Sequence, residues 1–189
     1  MKTTLKTIFT ILVLFVSTQL FSQTEAEMKA WMEYSTPGQV HEMIARSNGE
    51  WTGEITMWME PGAPPTKSTG NAMNTMILGG RYQQSNYTGN MMGMPFEGIS
   101  LLGYDNAKKK FYNSWIDNMG TGMMMLVGEW DDATKTINFN GSCTDPMTGK
   151  DMKVRQTFQI IDDNNQKMEM FMTQDGPEMK SMEILFKRK

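Results

Sequence analysis

Few residues in this chain combine the type and spacing that chemistry asks for. It holds one histidine, His41, and one cysteine, Cys143. A nucleophilic triad needs a histidine-like base beside Ser or Cys, and a zinc site needs several His or Cys ligands, so both lack parts. His41 has no neighbour in sequence to orient it and reads as a surface or cap residue. Cys143 reads as a small buried hydrophobe rather than a reactive thiol. Glu97 and Asp117 are carboxylates of the kind that pair for acid and base work, but their spacing alone does not bring them together. The expectation is a protein without catalytic residues, cofactor or bound metal.

The remaining chemistry is that of methionine, of which there are 22. "MMGMPFEG" places Met91, Met92 and Met94 within four residues, Met123 and Met125 share one strand face, and Met168, Met170 and Met172 share another. Thioethers are soft ligands that suit Cu(I), so a methionine-rich, Cu(I)-handling envelope protein is one reading. Such sites usually recruit His or Cys as well, and those are nearly missing. Methionine also fills irregular gaps and lines adaptable surfaces, and pocket lining or core filling is the reading preferred here.

The elements that would position these side chains are mostly strands. "STPGQVHEMIARSNGEW" carries a helical pattern, with Ser35 or Thr36 to cap, Pro37 at the first position, Val40, Met43 and Ile44 on one face and Gly49 at the end. From Trp51 the period changes to two. Runs at about 51–59, 67–78, 81–88, 95–104, 109–117, 121–130, 135–142, 151–161, 166–173 and 179–187 read as strands, separated by turn signals such as "EPGAPP", "YDNAKK", "DDATK" and "QDGPE". Hairpin-length connections imply antiparallel neighbours, and a meander of about ten strands removes its edges by closing. The expected fold is all-β: an antiparallel up-and-down barrel, lipocalin/calycin-like, with a short N-terminal helix.

"NGEWTGEI" and the C-terminal "EILFKRK" sharpen that expectation. A last strand beside the first brings Lys187, Arg188 or Lys189 to Trp51, where a cation over the indole would latch the closure. Lipocalin-like barrels resemble this in their Gly-x-Trp opening with a basic residue from a late strand.

Alternation also divides the strands into faces. Phe111, Asn113, Trp115 and Asp117 share one face of "KKKFYNSWID", and Met94, Phe96, Gly98, Ser100, Leu102 and Tyr104 share one face of "MPFEGISLLGY". Aromatics mixed with single polar groups suggest a cavity wall, since pockets are mostly apolar with a few placed polar groups. The expected wall contains Phe96, Trp115, Met125 and Met170 around Asn113, Asp117 and Arg155, with Tyr82 from a neighbouring strand and Met94 pointing inward from the rim. Arg155 is the weakest member, because it alternates against Val154, Gln156 and Phe158. The expected function is binding of a small apolar or amphipathic molecule. A solid structural or interaction barrel is the third reading.

"MILGGRYQQ", the block from Met91 to Gly122, "DPMTGKDMKVRQ" and "MEILFKRK" resemble an uncharacterised bacterial secreted family, a domain of unknown function numbered 1579, over Pro37 to Lys189. The resemblance implies a lipocalin-like barrel and no established substrate, catalytic residue or cofactor.

The chain opens "MKTTLKTIFTILVLFVSTQLFSQ", with Lys2 and Lys6 before an apolar run from Ile8 to Val16 and Ser22 before Gln23. This reads as a signal peptide over residues 1–22, the run being shorter than the roughly 20 residues a spanning helix needs. A polar leader over 23–36 and one barrel domain over 37–189 would follow, exported to the periplasm or outside the cell, with no transmembrane segment in the mature chain. Losing the two lysines takes the formal net charge from −3 to −5, and no basic face suits nucleic acid. A single cysteine cannot close a disulfide within the chain, so stability rests on the core.

Overall fold

The computed structural model describes residues 24–173 and 176–189. The signal peptide expected over residues 1–22 therefore lies outside the described residues. The chain divides into two compact units, Met1–Thr36 and Pro37–Lys189.

In the first unit, Glu25–Ser35 forms helix α1, where the sequence pattern suggested only a polar leader. Its start is written in a capping box: the Glu27 N–H donates to Thr24 Oγ1 and the Thr24 N–H to Glu27 Oε2. The helix buries no side chain, so an apolar stripe could not announce it, and the Thr24-to-Glu27 spacing is the signal that was available.

The second unit begins with helix α2, Gln39–Ala45, and continues as ten strands. Gly38, not Ser35 or Thr36, is the N-cap of α2. The strands are β1 (Gly49–Met57), β2 (Thr66–Ile77), β3 (Tyr82–Met91), β4 (Met94–Asp105), β5 (Lys110–Asp117), β6 (Met124–Asp131), β7 (Thr136–Thr144), β8 (Asp151–Ile160), β9 (Asn165–Thr173) and β10 (Met179–Arg188). Each pairs antiparallel with its sequence neighbours, and β1 pairs with β10, so the meander closes into a barrel without a free edge.

Local chemistry sets the turns. Met91 opposes Met94 across the β3–β4 hairpin, leaving Met92 and Gly93 as a two-residue corner with φ of +53° and +84°. Positive φ at both positions is the hairpin turn whose twist matches the flanking strands. Gly93 meets that demand at no steric cost, whereas Met92 bears it.

Strand direction puts α2 and the β2–β3, β4–β5, β6–β7 and β8–β9 connections at one end of the barrel. That end is solid. Trp51, Phe111, Phe139 and Leu126 are fully buried, and Ile44 of α2 joins them with Val40 and Met43 packed alongside. The expected helix face of Val40, Met43 and Ile44 is the face that packs.

Candidate functional site

Beyond this packed cluster the barrel is hollow. A cavity of about 670 Å³ runs from a floor made by Met43, Ile44 and Ser47 to the end where the β3–β4, β5–β6 and β7–β8 loops lie. That volume falls within the range of small-molecule pockets. The wall draws on every strand, because each places alternate residues inside.

The floor is a fixed polar cluster. Ser47 Oγ donates to the Ile44 carbonyl at 2.7 Å, and Gln83 Nε2 lies 3.0 Å from both the Ile44 carbonyl and Ser47 Oγ. The Ser47 carbonyl accepts from Trp51 Nε1 and Asn74 Nδ2, each at 2.9 Å. These bonds satisfy the frayed end of α2, whose last carbonyls have no partner within the helix.

Higher in the wall, Ser100 Oγ donates to Asn113 Oδ1 at 2.6 Å, which leaves the Asn113 amide hydrogens to the cavity. Tyr87 bonds to Ser85, and burial pushes its phenol up to about 12. Tyr87 meets Trp115 edge-on with ring centres 5.1 Å apart, and Phe96 stacks on the same indole at 6.3 Å. Trp115 Nε1 donates to Asp117 Oδ2 at 2.7 Å, and the Met119 N–H to Asp117 Oδ1 at 2.9 Å. Asp117 thereby anchors the start of the β5–β6 loop beside the cavity mouth. Asn118 holds the same loop to β4: its Oδ1 accepts from the Glu97 N–H and its Nδ2 donates to the Pro95 carbonyl.

Methionine forms much of the opposite wall. Met168, Met170 and Met172 of β9 all line the cavity, and Met57, Met182 and Met170 stand in register across β1, β10 and β9. In the same row, Met170 opposes Gln156 of β8, which opposes Phe139 of β7.

Of the residues expected in this wall, Phe96, Asn113, Trp115, Asp117 and Met170 line the cavity. Tyr82, Met94, Met125 and Arg155 do not. Tyr82 is 40 % exposed because the inner face of β3 is Gln83, Ser85 and Tyr87. Met94 has the parity of Phe96 but stands at the strand's first residue, past the cavity's reach, and is 48 % exposed. Met125 is 51 % exposed: Trp115 pairs with Met124 and Asn113 with Leu126, which turns Met124 and Leu126 inward. Arg155 faces outward, where its Nε and Nη2 donate to the two oxygens of Glu178 and its guanidinium lies 3.8 Å from the Phe171 ring centre. Ser85, Tyr87 and Gln156 were missed as site residues; for Gln156, its alternation with Val154 and Phe158 was the signal.

The reactive groups are separated. Glu97 is exposed and, by strand alternation, faces away from Asp117 across the Gly98–Asp117 pair. His41 is a cap residue as expected, accepting the Gly38 N–H at 3.1 Å through Nδ1, but it is buried rather than on the surface. Burial holds its pKa below 6.5, with the charge of Arg81 adding to the effect and a hydrogen bond to the Tyr104 backbone opposing it. Burial, with Asp151 and Asp145 nearby, pushes the Cys143 thiol up, away from the thiolate a nucleophile needs. Among the described residues no helix is long and apolar enough to cross a membrane.

Residues 36–188 match the family described as "Protein of unknown function (DUF1579)", and the chain belongs to that family. The fold is similar to that in the crystal structure of Rv2717c from M. tuberculosis, with a TM-score of 0.62 at 13 % identity over 82 % of this chain and 99 % of that one. At that identity the likeness carries the fold alone. No curated protein matches the chain.

Proposed function

We propose that this protein is an exported barrel that binds a small apolar or amphipathic molecule in its cavity without transforming it. The observation that carries the reading is the cavity of about 670 Å³, whose mainly apolar wall of aromatic, aliphatic and methionine side chains is broken by Ser, Thr, Asn and Gln groups and by one carboxylate, Asp117, near the mouth. Such a wall takes up apolar surface and orients a ligand through few hydrogen bonds. The hollow also counts against a solid structural barrel. Export rests on the N-terminal pattern of basic, apolar and small residues in positions 1–22.

Native mass spectrometry of the mature protein purified from its own envelope, followed by solvent extraction, tests the reading. The expected result is a co-purifying molecule, or saturable uptake of the neutral fluorophore N-phenylnaphthylamine if the native ligand is lost on purification. Absence of both overturns the proposal.

A further inference from the structure

Gln156 sits on the inner wall of β8 with apolar neighbours on four sides: Val154 and Phe158 along its own strand, Met170 and Phe139 across the adjacent ones. It is only 7 % exposed and lines the cavity, and no described residue hydrogen-bonds its carboxamide. Its amide atoms open onto the hollow, where they offer a donor and an acceptor that the apolar neighbours cannot use. The amide is therefore best matched by a polar group arriving with a ligand. Asn113 adds free amide hydrogens to the same interior, because its oxygen is taken by Ser100.

Charge narrows what that group can be. No Lys, Arg or His lines the cavity among the described residues, and the one ionisable carboxylate in the lining, Asp117, lies by the mouth. Arg155, the cation that alternation left in doubt, is outside and paired with Glu178. An anionic head group would have to pass a carboxylate and then shed its hydration with no counter-charge to meet it, whereas a hydroxyl or amide loses only what Gln156 can return.

Resting on the binding reading above, we propose that the cavity selects an electrically neutral amphiphile, with a hydroxyl or amide head on Gln156 and its tail along the methionine wall, and discriminates against the carboxylate of equal chain length. Competition for bound N-phenylnaphthylamine by myristyl alcohol, myristamide and sodium myristate at pH 8 tests this. The alcohol and the amide are expected to compete at concentrations at least about tenfold lower than the carboxylate, a difference of roughly 1.4 kcal/mol. Myristate competing as well as or better than the neutral homologues overturns the selectivity and leaves the binding reading intact. Failure of the fluorophore and all three competitors to bind, with no co-purifying molecule either, overturns both. In Gln156→Lys, folding confirmed by circular dichroism, the preference should reverse in favour of myristate, and an unchanged preference would remove Gln156 as the seat of the head. Should that variant not fold, the wild-type ratio still decides the selectivity.

Discussion

The guanidinium of Arg188 lies 4.3 Å from the centre of the Trp51 indole, at the pair of strands where the barrel closes. The same group donates to three carbonyls: Arg46 and Asn48 at the end of α2, both at 2.6 Å, and Asp163 in the β8–β9 connection at 2.8 Å. One side chain thus joins the last strand, the first strand and the helix that covers this end. Charge-assisted hydrogen bonds and a part-buried cation–π contact together give Arg188→Ala an expected loss of about 2–4 kcal/mol. Urea unfolding measures it; a loss under about 1 kcal/mol would show that closure does not depend on the latch. Arg188→Lys should recover less than half, since an ammonium cannot reach three carbonyls in one plane.

Gly98 lies beneath Trp115, where an added Cβ would come within 2.5 Å of the indole Cη2. The ring cannot yield freely, being tied to Asp117 and packed between Tyr87 and Phe96. Gly98→Ala should cost roughly 1–3 kcal/mol and shift Trp115 into the cavity. Weaker N-phenylnaphthylamine binding in Gly98→Ala, with the variant still folded, is the expected outcome; unchanged affinity and unchanged stability would contradict this packing.

His41 gives the fold a pH dependence with a definite sign. Its folded-state pKa is held below 6.5, so its contribution to stability is complete above 6.5 and is lost as the pH falls through the lowered value. Protonating Nδ1 would also remove the acceptor for the Gly38 N–H at the start of α2. Unfolding free energy should decline on acidification below 6.5, by at most about 1.4 kcal/mol per pH unit from this one group. His41→Asn should flatten that limb, and an equal slope in the variant would assign it to other groups.

The hairpin corner at Met92 invites a stabilising change. Asn tolerates the left-handed region better than Met and is favoured before Gly in this turn, so Met92→Asn is expected to add about 0.5 kcal/mol. Met92 is exposed, so no buried contact is lost. A lower melting temperature in the variant would mean that Met92 has a role in packing that its exposure does not reveal.

On the outer face of β9 and β10, Lys167 and Lys180 each pair with both Glu169 and Glu183, at distances from 2.5 to 3.4 Å. All four side chains are partly buried, so the network should matter more than an isolated surface pair. Glu169→Gln should cost about 0.5–1 kcal/mol in low salt and less in 1 M NaCl. A cost independent of salt would point to packing instead of charge.

The strands and turns of this barrel were legible in the sequence because they are local. Each turn needs particular residues within a few positions, as "YDNAKK" and "DDATK" supply, and strand alternation shows within one run. The Trp51–Arg188 latch was legible too, since an antiparallel closure sets the first strand beside the last. Helix α1 was not, because it offers a cap but no apolar face.

Which face of a strand looks inward was decided by the tertiary structure wherever both faces are alike. "MMMLV" is apolar on either parity, and Met124 rather than Met125 turned inward only because Trp115 and Asn113 set the register of β6. "RYQQSNY" is polar on both, so Tyr82 and Gln83 could be told apart only by their neighbours on β2 and β4. Register in a closed sheet is a property of all ten strands together, and a shift of one residue exchanges the two faces. The hollow has the same origin. Whether a ring of side chains fills a barrel depends on the sum of their volumes at one level, contributed by residues far apart in the chain, and no single stretch of sequence contains that sum.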